Sequence, residues 1–315
     1  MSEALHQSDS LQAWIPRGLL ELSPQHRVPA CTLEGLTPVQ LHWREGVLDD
    51  VRPLDADQSS PEQVVLPRFV DAHVHLDKAF TWQDHPNLLG TYEGALKANL
   101  VEHQSRSTEL VLSRGERALQ QAFRCGLRAV RSHIDSGGPG AESSWEALQV
   151  LQRRWRGRVE LQLVALAPLA FWISAEAESM AERLSTCGGL LGGVLDPSMS
   201  GPAVDQQLKV LLRLADRHGL AVDLHIDEAD HAPAQGVKQL LRALKISPVA
   251  VPITCSHASS LALLPQAALQ RLGERMMSAN LQVIALPLTN AWLLERRSDI
   301  TPLKLSLIHI SEPTR

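Results

Sequence analysis

The sequence has few of the features that mark several common classes of protein. Its four cysteines are scattered and form no CxxC pair, which excludes a structural zinc ribbon and a thioredoxin-like motif. No apolar run reaches the roughly 18 residues of a membrane span, and the polar N-terminus MSEALHQSDS is unlike a secretory signal. The chain has 30 Lys and Arg residues against 35 Asp and Glu residues, a net charge of -5. It therefore lacks the excess of basic residues that is typical of a nucleic-acid-binding protein. We therefore expect a cytoplasmic protein whose partners are neither nucleic acid nor membrane.

Aromatic residues are also scarce, at 4% of the chain, whereas there are 13 histidines. The hydrophobic fraction of 44% is ordinary for a globular protein and too high for a disordered one. At roughly 150 residues per domain, the 315 residues predict two domains, or one large α/β barrel with an appendage.

The first part of the chain predicts a small β domain. Residues 1–10 resemble a disordered tail, and residues 11–67 carry short apolar runs that Pro, Gly and Asp interrupt. Glu45 and Gly46 stand between two alternating runs, as in a β-hairpin. An irregular N-terminal extension is the alternative interpretation of this stretch.

From residue 68 onward, short apolar runs alternate with helical stretches. The seven candidate strands are residues 68–75, 128–134, 160–167, 190–196, 220–227, 251–257 and 281–287. Strand–helix units that repeat about every 30 residues are typical of a parallel sheet, and seven in a row favour a (β/α)8 TIM-type barrel over residues 68–304. A doubly wound sheet is the alternative, but no glycine-rich phosphate-binding fingerprint follows the first strand.

Three segments between these strands carry further signals. Ser143 and Glu146 are spaced as a helix capping box. Pro202 and Gly219 stand where a helix over residues 202–218 would begin and end. Residues 81–100 lie in the longest interval and predict an active-site loop with a short helix over the barrel mouth.

The histidines gather at the predicted strand ends, where barrel enzymes place their chemistry. They are His73, His75, His133, His225 and His257. Residues i and i+2 of a strand point to the same side, so His73 and His75 are able to bind one metal ion from two directions. His225 would supply a third nitrogen. A metal-free pair of histidines is the alternative for HxH alone.

Two further residues have the chemistry of proton transfer. Glu228 follows His225 closely enough to reach a water bound to a metal ion. The metal lowers the pKa of such a water toward ~7. A carboxylate there can take the proton and return it to a leaving group. His257 could orient this water or stabilise an oxyanion, and His133 and Asp135 are weaker candidates for substrate contact. The alternative for Glu228 is a solvated loop acid without a catalytic role. The alternative for the histidines is a hydrogen bond to the backbone and no contact with substrate.

Six stretches together resemble the amidohydrolase superfamily, and within it the cytosine deaminase-like branch. They are FVDAHVHLDK (69–78), GTYEGALKA (90–98), VRSHIDS (130–136), DLHIDEADH (223–231), TCSHASS (254–260) and ALPLTNAWLLERRSDIT (285–301). The resemblance implies hydrolysis of a ring-bound amino group, release of ammonia, and one divalent metal ion, Fe2+ or Zn2+. It implies metal ligation by His73, His75 and His225, a proton shuttle at Glu228, and water activation by His257.

The sequence departs from this family at its third predicted strand. A glutamine that recognises pyrimidines in the family is absent from ALAPLAFW (165–172), so Leu169 and Trp172 are candidates for a different pocket. We expect a small heterocyclic substrate of the cytosine type, as in pyrimidine metabolism. Hydrolysis of a cyclic amide or ring-bound alkylamine, and an inactive truncated fragment, are the alternatives. A homo-oligomer is compatible with all of these.

The last eleven residues, LSLIHISEPTR (305–315), resemble the translation of a sequencing adapter. On this interpretation native sequence stops near Lys304. The family's eighth strand and its metal-binding aspartate are then missing, and residues 305–315 belong to no fold. We expect an open barrel of seven strands and an inactive chain as written.

Overall fold

The computed structural model describes residues 8–20, 31–54 and 60–294, together with the backbone of residues 309–311. The chain divides into two compact units, Met1–Arg68 and Phe69–Arg315. None of the helices in the described ranges is long and apolar enough to cross a membrane.

In its described residues, the first unit contains an antiparallel sheet of three strands. The strands are β1 (Ser8–Pro16), β2 (Leu36–Arg44) and β3 (Val47–Pro53), paired in this order. Glu45 and Gly46 form the predicted hairpin turn, both with positive φ (54° and 77°), as a tight two-residue hairpin requires. Part of the tail expected over residues 1–10 is in β1, and residues 1–7 lie outside the described residues.

The second unit is a nearly closed parallel barrel surrounded by helices, so the predicted TIM-type fold is confirmed. Its strands are β4 (Phe69–Val74), β5 (Leu127–Asp135), β6 (Glu160–Leu166), β7 (Leu190–Leu195), β8 (Val222–Ile226), β9 (Ile253–His257) and β10 (Leu281–Ala285). Each neighbours the next in chain order. Among the described residues, no pairing joins β4 to the far end of the sheet.

Eight α-helices accompany these strands in the described part of the chain. They are α1 (Tyr92–Ser105), α2 (Thr108–Arg124), α3 (Ala141–Trp155), α4 (Ala177–Cys187), α5 (Pro202–His218), α6 (Gln235–Ile246), α7 (Gln266–Ser278) and α8 (Pro287–Leu293). The start and stop signals of α5 are confirmed, because Pro202 is its first residue and Gly219 ends it with φ 64°. The short helix predicted within residues 81–100 is the longer helix α1, which continues to Ser105.

The capping box predicted at the start of α3 is wrong. The helix begins at Ala141, and its N-cap is Gly140, which has no side chain to offer. Ser143 therefore lies inside the first turn, while Glu146 accepts a hydrogen bond from Thr108 Oγ1 at 2.9 Å. Glycine is required at position 140, because a Cβ there would stand 2.8 Å from the carbonyl oxygen of His103.

The tail forms a strand that the sequence did not predict. Residues His309–Ser311 (β11) pair in parallel with Val283–Ala285 of β10. The expectation that residues 305–315 belong to no fold is wrong for these three. An unpaired strand edge is a template for any extended segment, which explains the pairing. Residues 305–308 and 312–315 lie outside the described residues.

Candidate active site

Five imidazole rings meet at the carboxyl ends of the barrel strands. His73 and His75 stand at the end of β4, His133 near the end of β5, His225 near the end of β8, and His257 at the end of β9. All but the half-buried His75 are buried. Their ring centroids lie 4.0 Å apart for the closest pair, His73 and His133, and 5.6 Å for His75 and His133.

The ring nitrogens of this histidine cluster face one another. His75 Nε2 lies 3.3 Å from His225 Nε2. Nitrogens of His73, His225 and His257 also lie within 4.8 Å of one another. Two ligands of one tetrahedral zinc ion, each bonded at about 2.05 Å, would be separated by about 3.3 Å. The separation of His75 and His225 therefore suits two ligands of a single ion.

Several buried nitrogens of the cluster lack a hydrogen-bond partner. They are both ring nitrogens of His73, His133 and His257, and Nδ1 of His75 and His225. Buried polar atoms are normally bonded, so a group of unpaired ones requires an explanation. Neutral imidazole nitrogen is the commonest protein ligand for metals, and it suits both zinc and iron. The residues present therefore fit a divalent ion.

The electrostatics of the cluster favour neutral rings. Burial lowers the pKa of His73, His75, His133 and His225 well below the ordinary value, and neighbouring imidazoles and cations lower it further. Burial also lowers the pKa of His257 to about 3. Because metal ligation requires the deprotonated ring, these imidazoles are already in the ligating form at neutral pH.

The carboxyl group of Glu228 faces this cluster from the loop after β8. Glu228 Oε1 lies 3.1 Å from His257 Nδ1, and the Glu228 side chain is 12% exposed. Burial raises the pKa of Glu228 to about 8, and the nearby charge of Asp196 contributes to the rise. A carboxyl group with a pKa near the working pH is suited to both accept and donate a proton.

Strained backbone at the strand ends positions these groups. Asp227, His257 and Ala258 all have positive φ, at 55°, 69° and 48°. Such residues cost about 1–3 kcal/mol each and persist where the surroundings fix them. The Asp227 carboxylate is fixed by the backbone N–H groups of Gly236 and Val237, at 2.8 and 2.9 Å. The loop that carries Glu228 is thereby anchored to the start of α6.

Beneath the cluster lies a buried carboxylate that the sequence analysis missed. Asp223 accepts a hydrogen bond from Arg131 at 2.8 Å, and its Oδ2 lies 3.7 Å from His133 Nε2. Asp223, His73 and His133 lie close enough to hold a cation, but the guanidinium of Arg131 already compensates this carboxylate. Asp223 stands two positions before His225 in the same strand, and this alternation was the signal that could have found it.

The structure brings some of the weaker candidates near the cluster. His133 is one of the five rings. Asp135, at the end of β5, accepts two hydrogen bonds from Lys78 Nζ, at 2.9 and 3.1 Å, and one from Asn99 Nδ2 at 3.1 Å. The Lys78 ammonium is close enough to lower the pKa of several cluster histidines. Lys78 therefore adds a positive charge that the sequence analysis did not consider.

The two apolar candidates lie in the core instead. Leu169 and Trp172 are 0% and 1% exposed, in a 3-10 helix (Leu169–Ile173) that packs into the main hydrophobic cluster. The indole N–H of Trp172 donates to the carbonyl oxygen of Gly192 at 2.8 Å. Their predicted contact with substrate would need this helix to leave the core.

Comparison with known proteins gives relatives of one kind. No family model matches the sequence. The chain is 30% identical over 291 residues to a pterin deaminase of Rhizobium rhizogenes (strain K84 / ATCC BAA-868), covering 87% of this chain and 66% of the relative. It is 26% identical over 201 residues to an N-isopropylammelide isopropyl amidohydrolase of Pseudomonas sp. (strain ADP), covering 62% of this chain and 50% of the relative. The chain thus spans between half and two thirds of these curated relatives.

The solved structures agree on the fold. The crystal structure of 5-methylcytosine deaminase from Klebsiella pneumoniae superposes with a TM-score of 0.76 at 18% identity, covering 96% of this chain and 74% of that one. Homologues and structural neighbours are accordingly deaminases and amidohydrolases, which act on carbon–nitrogen bonds.

Proposed function

We propose that this chain is a metal-dependent amidohydrolase that removes the exocyclic amino group of a small heterocycle and releases ammonia. The observation that carries the proposal is the convergence of five imidazoles, four of them buried, beside the largely buried carboxyl group of Glu228. The similarity to a pterin deaminase supports the same reaction class. On this proposal the chain is a hydrolase of carbon–nitrogen bonds other than peptide bonds.

Three of the imidazoles would hold the metal ion. His73, His75 and His225 are the ligands we assign, because the first two share one side of a strand end and the nitrogen of the third lies 3.3 Å from that of His75. A divalent ion such as zinc or iron(II), when bound, supplies Lewis acidity and a water nucleophile at neutral pH. The low pKa values of the three rings leave their lone pairs free for it.

Glu228 is the proton carrier in this proposal. Its carboxylate takes a proton from the attacking water as the carbon–oxygen bond forms at the ring carbon. Its carboxyl group then returns the proton to the exocyclic nitrogen, and the carbon–nitrogen bond breaks to release ammonia. The pKa of about 8 allows both directions of transfer near neutral pH.

His257 lies beside this carboxyl group and faces the histidine cluster. Its Nδ1 lies 3.1 Å from Glu228 Oε1, while its ring centroid lies 4.9 Å from that of His73 and 4.8 Å from that of His225. A neutral ring in this place can orient the water or bond to the developing negative charge on oxygen. We propose His257 as the second catalytic residue on this geometry.

The substrate we favour is pterin, ahead of cytosine. The pyrimidine-recognising glutamine of the cytosine deaminase-like branch is absent, and the pterin deaminase matches 87% of this chain. Pterin and cytosine both carry an amino group on a ring carbon that is bonded to a ring nitrogen, so the chemistry is shared. A second candidate, hydrolysis of a ring-bound alkylamine, rests on the similarity to the isopropylammelide hydrolase.

Product analysis tests the proposal. The zinc- or iron(II)-loaded chain is incubated with pterin, cytosine and N-isopropylammelide, and ammonia, isopropylamine and the ring products are measured by mass spectrometry. We expect ammonia from pterin. Isopropylamine from the third compound would favour the second candidate instead. A loaded protein that releases neither amine from any of the three would contradict the proposed function and would favour the alternative of an inactive truncated fragment. Chelator-treated protein is the control.

A further inference from the structure

A buried arginine outside the histidine cluster connects several elements of the barrel mouth. Arg106 directly follows α1, and its side chain is 0% exposed. The guanidinium donates to two aspartates, at 3.0 Å to Asp77 Oδ2 and 3.3 Å to Asp135 Oδ2. Its further partners are Glu102, Asn99 and Ser144. A single planar group thus bonds to α1, α3, the end of β5 and the segment after β4.

The two aspartates occupy equivalent places beside the cluster. Asp77 follows His75 by two residues, and Asp135 follows His133 by two residues. The same Asp77 oxygen that accepts from Arg106 also accepts from the backbone N–H of Asp135 at 2.9 Å. The segments that leave two neighbouring strands, each directly after a cluster histidine, are therefore joined through Arg106.

The desolvation free energy of these buried charges indicates that they do more than fill space in the core. Taking charges out of water costs several kcal/mol per ion, and an apolar contact of similar size is often as stable. Arg106 and Asp77 are both fully buried. Lys78 shares Asp135 with Arg106, so a second cation at the cluster depends on the same carboxylate. What the ion pairs add is a fixed geometry for the two strand ends.

We propose that Arg106 is a positioning residue for the metal site. By holding Asp77 and Asp135, it fixes the strand ends from which His75 and His133 reach the histidine cluster. This inference rests on the metal site of the proposed function but does not depend on the identity of the substrate. Residues that orient metal ligands typically change metal affinity 10- to 100-fold when replaced.

The test is zinc affinity in Arg106→Lys, measured by competition with a chromophoric chelator. Lysine keeps the charge but cannot bond to two carboxylates with one planar fork. We expect zinc to bind about 10- to 100-fold more weakly. The matched control is Arg114→Lys, because Arg114 binds the other oxygen of the same Glu102 carboxylate at 2.6 Å. This control should bind zinc within about twofold of the wild type, because Arg114 pairs with Glu102 and not with the two aspartates that follow the cluster histidines.

Two further readouts separate positioning from a general loss of structure. The visible spectrum of the cobalt(II)-loaded protein reports ligand geometry, and it should change in Arg106→Lys but not in Arg114→Lys. Asp77→Asn should weaken zinc binding in the same range, and the double variant Arg106→Lys, Asp77→Asn should be no weaker than the weaker single variant. Where Arg106→Lys does not fold, Asp77→Asn alone decides by its zinc affinity and cobalt spectrum.

Some outcomes would overturn the inference. One is a folded Arg106→Lys variant with the zinc affinity and cobalt spectrum of the wild type. The other is a double variant whose fold-loss in zinc affinity equals the product of the losses in the two single variants. None of these measurements uses a substrate. A wild-type chain that binds zinc but releases no amine from the test compounds would contradict the proposed function and leave this inference intact.

Discussion

Replacement of Glu228 by glutamine removes one proton carrier while conserving the shape of the side chain. The amide oxygen can still occupy the position of Oε1, 3.1 Å from His257 Nδ1. General acid–base catalysis contributes ~10²–10⁴-fold in rate, which at 1.36 kcal/mol per tenfold corresponds to about 2.7–5.4 kcal/mol of barrier. With the side chain 12% exposed, bulk water has little access as a substitute carrier. We therefore expect kcat on pterin to fall by at least 100-fold, with bound metal unchanged.

The stability of the same variant follows from the raised pKa. Burial raises the pKa of Glu228 from 4.5 to about 8, so the folded protein retains the proton that the unfolded chain loses above about pH 5. The contribution of Glu228 to the folding stability of the metal-free protein therefore decreases between about pH 5 and pH 8, whereas the cluster histidines, whose pKa burial lowers, contribute in the opposite direction in wild type and variant alike. Glutamine does not titrate, so Glu228→Gln should remove this part of the decrease. Urea unfolding of both proteins at pH 5 and pH 8 measures it.

Asp230→Asn is the matched control for the kinetic measurement. Asp230 lies in the same loop, its carboxylate is 58% exposed, and Oδ1 lies 3.0 Å from His231 Nδ1. Its replacement should change kcat by less than about twofold, since this carboxyl group is outside the cluster. If Glu228→Gln retained more than a tenth of the wild-type kcat, Glu228 would not be the proton carrier and the mechanism would be refuted.

The remaining predictions concern the metal and the core. His225→Ala should reduce bound zinc from about one ion per chain to near zero by elemental analysis, and unchanged zinc would remove His225 from the ligand set. Trp172→Phe should lower the free energy of unfolding by about 1–3 kcal/mol, because it leaves the carbonyl oxygen of Gly192 without its donor, and should leave KM for pterin unchanged. A large rise in KM would instead place Trp172 in the substrate pocket. Gly115→Ala should lower the free energy of unfolding, measured in urea, by about 1–3 kcal/mol, because the new Cβ would stand 2.6 Å from Leu151 Cδ1. A gain in stability would contradict this packing.

The fold and the histidine cluster could be predicted because both follow from short-range patterns. Apolar runs at a regular spacing give the strands, and the barrel rule places the ends of these strands together. His73 in β4 and His75 directly after it were placed on one side by simple alternation, and the barrel brings His225 and His257 to them from positions at least 150 residues later.

The missed features depend on tertiary contacts that no local pattern encodes. Arg106, in the stretch EHQSRST, has the local sequence of an exposed helix end, and only the folded barrel surrounds it with carboxylates. Trp172 resembled a pocket residue, but the carbonyl oxygen of Gly192 inside the core satisfies its indole N–H. Ser143 had the spacing of a cap, but the close approach of α1 to Gly140 starts the helix earlier.

The central claim is that the histidine cluster is a metal site, and anomalous diffraction from crystals grown with zinc tests it most directly. Data collected on both sides of the zinc absorption edge should show one strong peak per chain, bonded to ring nitrogens of His73, His75 and His225 at about 2.0–2.1 Å. A peak bound only to other residues, or a cluster without a peak when zinc is in excess, would contradict the account.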